Sequence, residues 1–302
     1  MQGFELVHNR ERPKNNLERL KNLVGEISAS INKEAERDYG IKNLVNNDGS
    51  LRMESYAKPQ GGIYEQEQIE EDKEMDYGSE VSNAVAHSLP YKSPEQRAAI
   101  DIWKQDREKS RAHHIELAIM ALFHRVLGEE YVVVRSATHD DYNSGVDMLV
   151  VNKRTGDILC AIDEVHTDDS EIAGRDPFRG KGEKYKKKAL RGGARLDYGL
   201  TMQSGKLKRS KLQNLPLLYA GLTTNEFIQL TSAMQPGMRA ELTDLERSLF
   251  LRMVDSMQKQ INELKALHLQ QGIERNINSL NSTIEKLRHV ASMKDRKLPL
   301  AA

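Results

Sequence analysis

Three short apolar segments in the middle of the chain constrain its fold more than any other feature. They are YVVVRSAT (131–138), VDMLVVN (146–152) and ILCAIDEVH (158–166). The sequences between them, HDDYNSG and KRTGD, are rich in turn-forming residues, so we expect three strands joined by turns. Connections this short predict antiparallel pairing. Because the segments are apolar on both faces at their centres, we expect the sheet to be covered on both sides.

Helical patterns flank these strands. Residues 94–128 predict one long helix or two in succession, and residues 181–191 predict a basic helix. A hairpin is expected at 196–212, followed by a further buried strand at 215–222. The order helix, three strands, helix, strand predicts an α/β core with a mixed sheet over residues 93–235.

The two ends of the chain differ from this core. Residues 1–92 predict an irregular, acidic arm with one amphipathic helix at 13–38. In residues 236–302, apolar side chains recur at intervals of three and four, which is typical of a helical hairpin or coiled coil. We expect this last segment to serve packing or assembly and to carry no chemistry.

Composition indicates the compartment. The first residues lack the apolar region of a signal peptide, and no apolar segment approaches the roughly 20 residues that span a bilayer. Cys160 is the single cysteine, so an intramolecular disulfide is excluded. The sequence therefore predicts a soluble, cytoplasmic protein with no membrane partner.

The net charge of zero conceals a segregation of charge. Residues 111–170 contain 5 Lys and Arg against 11 Asp and Glu, whereas residues 171–215 contain 13 against 4. An acidic cluster beside a basic one suits a metal site next to the path of a polyanion. The alternative, which stays open, is that these charges only keep the surface soluble.

Acidic residues at the ends of two strands are the candidates for chemistry. Asp147 lies near the start of the second predicted strand, and Asp163, Glu164 and His166 lie at the end of the third. The start of one antiparallel strand lies beside the end of the next, so we expect Asp147 and Glu164 to meet at one edge of the sheet. In this register Glu164 and His166 point one way and Asp163 the other, although a slip of one residue would exchange the two acids. Two converging carboxylates are hard ligands suited to Mg²⁺ or Mn²⁺.

Asp147 in SGVDMLVV, Glu164 in CAIDEVH and the order of the surrounding elements resemble the PD-(D/E)XK nuclease superfamily over roughly residues 110–235. The resemblance implies a restriction-endonuclease-like αβββαβ core and hydrolysis of phosphodiester bonds. It also implies that Asp147 and Glu164 bind Mg²⁺ (or Mn²⁺).

Three further residues take roles through this resemblance. His166 occupies the position of the superfamily's lysine, and Lys184 in the basic helix would supply the missing cation. Glu116 occupies the position of an acid that many members carry on their first helix. The catalytic set implied is Asp147, Glu164, His166, Lys184 and Glu116.

The expected partner is a nucleic acid, with DNA favoured over RNA, and the C-terminal helices are expected to form a homodimer or bind a partner protein. Phosphate contacts are expected from Lys181, Lys186, Lys187, Lys188 and Arg191. Because His166 replaces the lysine, two other interpretations stay open. One is a catalytically inactive nuclease-fold scaffold that assembles through its C-terminal helices, and the other is a nucleic-acid-binding module that uses no metal.

Overall fold

Helices and strands alternate along the chain in the computed structural model, which describes residues 5–73, 102, 105–155, 158–167 and 182–293. The helices are α1 (Glu5–Tyr39), α2 (Arg111–Leu127), α3 (Thr138–Ser144), α4 (Gly182–Leu190), α5 (Thr224–Ala233), α6 (Asp244–Lys265) and α7 (Gln271–Met293). The strands are β1 (Tyr131–Arg135), β2 (Met148–Asn152), β3 (Ile158–Thr167), β4 (Ala194–Gln203), β5 (Lys206–Leu215) and β6 (Leu217–Thr223). The expected α/β class is confirmed. Within these described ranges, no helix is both long enough and apolar enough to cross a membrane.

A mixed four-stranded sheet forms the centre of the molecule, with the strand order β1-β2-β3-β6. The first three strands are antiparallel neighbours, as their short connections predicted, and β6 runs parallel to β3. A parallel neighbour requires a crossover connection, and α4 lies in the segment that makes it. The predicted hairpin is also present, since β4 and β5 pair as a separate two-stranded sheet.

The central sheet is covered on both faces, and every residue of β1, β2 and β6 is buried. Arg135 pairs with Met148, which pairs with Ile162, so these residues define one face. Helix α2 covers that face, where its Glu116 contacts Arg135. Helix α4 covers the other face, where its Lys184 contacts Asp163.

The segment HDDYNSG, which was predicted to be a turn, instead contains helix α3. The carboxylate of Asp140 accepts hydrogen bonds from the backbone N–H groups of Asp197 (2.7 Å) and Tyr198 (2.9 Å) in β4. This distant anchor stabilises a helix that the local sequence does not favour. Gly145 ends the helix in the left-handed region, with a φ of 54°.

The N-terminal arm packs against the rest of the molecule. Leu44, Leu51 and Ile69 are buried in the same core as the sheet. The hydroxyl of Tyr56 donates to the carbonyl oxygens of Tyr198 and Gly199 in β4. The described part of the arm contains α1, a helical segment at 66–73 and two short 3-10 helices at Met53–Tyr56 and Lys58–Gln60, and it belongs to the core.

Helices α6 and α7 form the predicted C-terminal helical hairpin. Helix α6 begins with a capping box, in which Thr243 and Glu246 bind each other's backbone N–H groups. Glu246 also lies 3.1 Å from Arg125 of α2, and both side chains are almost fully buried. The hairpin is therefore joined to its own core; assembly with another chain stays a prediction.

Candidate functional site

Two acids, Asp147 where β2 begins and Asp163 where β3 approaches its end, act on the same neighbouring side chains, Lys188 and Tyr219. The backbone N–H of Asp147 donates to the carbonyl oxygen of Ile162 at 2.8 Å, and the next residue, Met148, pairs with Ile162. Asp147 thus bonds to the residue that precedes Asp163, just beyond the last regular pair of the ladder. The carboxylates of Asp147 and Asp163 both act on the pKa values of Lys188 and Tyr219, so the two acids lie near the same side chains.

The register differs by one residue from the predicted one, in which Asp147 met Glu164. The backbone of Glu164 pairs with Ala220 in β6, and in an extended strand position 164 falls out of step with position 147. His166 pairs through its backbone with Leu222. The side chains of Glu164 and His166 lie outside the described part of the structure, so their roles stay predictions.

Two lysines of α4 lie close to this pair of acids. Nζ of Lys184 is 3.6 Å from Oδ2 of Asp163, and most of the Lys184 side chain is exposed. Lys188, one helical turn later, is partly buried. Burial and then the charge of Lys184 lower the pKa of Lys188, and the carboxylates of Asp163 and Asp147 partly offset this. Both lysines therefore belong to the electrostatic environment of the two acids.

Gly145 marks the point on which these groups converge. A Cβ atom placed on it would lie 3.8 Å from Nζ of Lys188, 3.9 Å from Nζ of Lys184 and 4.0 Å from Oδ2 of Asp163. Its φ of 54° also disfavours other residues. A Cβ atom at these distances would make ordinary contacts, so the backbone conformation, and not crowding, is what favours glycine here.

Tyr219 forms the floor of the site. It pairs with Asp163 in the parallel β3–β6 ladder, and its side chain is fully buried. Burial and then the carboxylate of Asp163 raise the pKa of Tyr219, with a smaller contribution from Asp147. Its hydroxyl consequently keeps its proton over the physiological pH range.

The donor set suits a magnesium ion that retains several water ligands. Mg²⁺ in proteins is commonly held by one or two carboxylates together with water and substrate oxygens, and Asp147 and Asp163 supply two carboxylates. Across the described ranges, no group of three or more His, Cys, Asp or Glu residues is arranged to hold a metal ion. A metal ion held by Asp147 and Asp163 would take water and substrate oxygens as further ligands.

Glu116, the predicted first-helix acid, lies on the opposite face of the sheet from this pair. Its carboxylate is 2.5 Å from Arg135, 3.5 Å from His113 and 3.9 Å from Arg107. Burial opposes ionisation, but His113 and the two arginines outweigh it and lower the pKa of Glu116 from 4.5 to about 2. Glu116 is thus held ionised in a network of ion pairs beside a cleft of about 520 Å³ that also contains Asp48.

The four described members of the predicted phosphate-binding set separate into three groups. Lys187 and Arg191 are exposed, whereas Lys188 is directed to the acids. Lys186 forms an ion pair with Glu263 of α6 at 2.7 Å. Lys181 lies outside the described residues.

Sequence reasoning set aside Asp163 and gave no part to Gly145 or Tyr219. The possible slip of one residue was the signal that could have found Asp163. Nothing in the sequence distinguishes Tyr219 from the other large residues of its apolar strand.

Comparison with known proteins finds no matching family model, no similar curated protein and no similar solved structure. The function must accordingly be inferred from the site.

Proposed function

We propose that the protein is a divalent-metal-dependent nuclease whose metal ligands are Asp147 and Asp163. The observation that carries this proposal is the convergence of Asp147 and Asp163 on the same neighbours, since both carboxylates act on Lys188 and Tyr219 and Lys184 lies 3.6 Å from Asp163. Two acids at a strand edge can hold a divalent ion that activates water for phosphodiester hydrolysis, and amines close by can stabilise the phosphate.

The arrangement of elements supports the proposal. Helix α2, strands β1 to β3, helix α4 and strand β6 follow the αβββαβ order that the PD-(D/E)XK resemblance implies, and β6 is parallel to β3. Helix α3 and the β4–β5 hairpin are additions to that order. The hairpin lies between α4 and β6, and α3 lies between β1 and β2.

Each residue of the site has a distinct part in this reaction. Asp147 and Asp163 would hold Mg²⁺ or Mn²⁺, which when bound lowers the pKa of water and stabilises charge on the phosphate. Lys188, whose pKa is lowered by burial, positions the attacking water. Lys184 is exposed and balances negative charge on the scissile phosphate. Tyr219 keeps its proton and stays beside Asp163.

The exposed cations Lys187 and Arg191 extend the site along α4 and would contact flanking phosphates. We propose DNA as the substrate, in keeping with the nuclease resemblance.

A catalytically inactive scaffold is the second candidate. The 3.6 Å contact between Lys184 and Asp163 favours it, because an ammonium can serve as the permanent counter-ion of these acids. In that case the two lysines only neutralise a pair of carboxylates that the fold brings together, and no metal is needed.

Cleavage of supercoiled plasmid in Mn²⁺ or Mg²⁺, with EDTA as the control, separates these candidates. A nuclease converts the plasmid only when the metal is present, and Asp147→Asn slows the conversion by on the order of 100-fold or more, since several kcal/mol of transition-state stabilisation are lost. Calorimetric titration with Mn²⁺ should show one site in the wild type and a weakened site in Asp147→Asn. Absence of both cleavage and Mn²⁺ binding would leave the scaffold.

A further inference from the structure

Helix α6 forms hydrogen bonds with the outer edge of β6, next to the candidate site. The side-chain amide of Gln260 donates to the carbonyl oxygen of Tyr219 at 2.9 Å and accepts the N–H of Tyr219 at 2.8 Å. Gln260 is buried and satisfies the backbone groups that a neighbouring strand would otherwise satisfy. Residue 219, which pairs with Asp163, is thereby fixed to α6.

One turn further along, α6 also contacts α4 through Glu263. Glu263 accepts a hydrogen bond from the hydroxyl of Tyr185 and forms an ion pair with Lys186 at 2.7 Å. The bond from Lys186, and then that from Tyr185, lowers the pKa of Glu263. The ring of Tyr185 packs edge-on against the ring of Tyr219, with centroids 5.9 Å apart. Gln260 therefore contacts Tyr219 directly, and Glu263 contacts it through the ring of Tyr185.

Helix α4 needs such anchoring. It has nine residues, and helices this short are marginal without tertiary contacts. Between residues 184 and 190, the buried side chains are those of Tyr185 and Ala189. The position of Lys184 and Lys188 above the acids thus depends on how firmly Tyr185 is held.

We propose that Gln260 and Glu263 are positioning residues, which set the lysine-bearing helix α4 at a fixed place above Asp147 and Asp163. This inference rests on the proposed function of those acids. It gives the C-terminal hairpin a part in the site that sequence analysis did not assign. Glu263 acts through Tyr185 and Lys186.

The test compares Glu263→Ala with Asp255→Ala in the full-length protein. Asp255 lies on the same helix and forms an ion pair with Arg288 of α7 at 2.7 Å, so its loss removes a surface ion pair that leads away from α4. Glu263→Gln is the conservative variant, because it keeps an acceptor for the Tyr185 hydroxyl.

Two measurements are made on each variant. The first is amide hydrogen exchange across residues 182–190, where Glu263→Ala should accelerate exchange by about tenfold, as expected for losing a bond to a charged acceptor. The second is metal-dependent cleavage, where kcat should fall by about tenfold while KM for DNA changes less than twofold. Asp255→Ala should match the wild type in both, and Glu263→Gln should recover most of kcat.

Equal exchange in α4 for Glu263→Ala and Asp255→Ala would overturn the inference, and so would a change in KM with kcat unaffected. If the wild-type protein does not cleave DNA at all, the nuclease proposal fails. The exchange of residues 182–190 then decides by itself whether Glu263 fixes α4.

Discussion

Asp140 tests how helix α3, which leads to the candidate site, is anchored to β4. Its side chain is buried, with 1% of the residue exposed, and its carboxylate accepts the backbone N–H groups of Asp197 and Tyr198. Burial raises the pKa of Asp140 from 3.8 to about 7, although the two backbone hydrogen bonds and then His139 partly offset it. We predict that Asp140→Asn changes how the stability of the protein depends on pH.

The sign follows from the raised pKa. An acid whose pKa is higher in the folded state contributes its full stability below the unfolded value, near 3.8, and loses it as the pH rises through about 7. A shift of roughly 3 units at about 1.36 kcal/mol per unit makes the whole loss about 4 kcal/mol. Roughly 3 kcal/mol of this falls between pH 5 and pH 8.

Asparagine carries no charge and escapes this loss, but its amide hydrogens replace an acceptor, which costs about 1–3 kcal/mol at every pH. Asp140→Asn should therefore be less stable than the wild type at pH 5. By pH 8 the difference in the free energy of unfolding should move by roughly 3 kcal/mol in favour of the variant.

Urea unfolding followed by circular dichroism at pH 5, 6, 7 and 8 measures this difference. The other titrating groups are common to both proteins, so the comparison at each pH isolates Asp140. A difference that stays constant from pH 5 to pH 8 would refute the reasoning, because it would mean that burial of Asp140 does not perturb its ionisation.

Two further substitutions test the packing. Glu246→Ala should lower the free energy of unfolding by roughly 3–5 kcal/mol, since it leaves the buried guanidinium of Arg125 without its carboxylate; thermal unfolding that matches the wild type would contradict this. Gly193→Ala should cost roughly 3 kcal/mol, because its φ is 84° and a Cβ there would lie 2.6 Å from the backbone oxygen of Leu215 and 2.3 Å from Cδ1 of Ile273. Gly205→Ala is the matched control in chemical denaturation, since its φ of 71° is similar but nothing lies within 4 Å; we expect a cost of about 1 kcal/mol, and equal costs at both glycines would show that the contact with Ile273 is unimportant.

The order of the elements was predictable because it depends on local patterns. The apolar segments around Val133, Val150 and Ile162 became the three antiparallel strands, and the spacing of leucines after residue 242 gave the C-terminal hairpin. Side-chain periodicity and turn residues suffice for this, because each strand is adjacent in sequence to its partner.

The register and the anchors were not predictable in the same way. Asp163 and Glu164 are adjacent acids, and it is Asp163 that shares its neighbours Lys188 and Tyr219 with Asp147. Helix α3 forms because Asp140 finds donors in β4, some 57 residues further along the chain. Such contacts bring together residues that are distant in sequence, and a slip of one residue exchanges the faces of a strand without changing the local pattern.

The most direct test of the site compares Asp163→Asn with Glu164→Gln in Mn²⁺-dependent cleavage of DNA. These neighbouring substitutions each remove one negative charge with almost no change in size. If Asp147 and Asp163 form the metal site, Asp163→Asn lowers the rate by on the order of 100-fold or more, while Glu164→Gln stays within about threefold of the wild type. A rate that collapses in Glu164→Gln and survives in Asp163→Asn would contradict the account and assign the chemistry to Glu164.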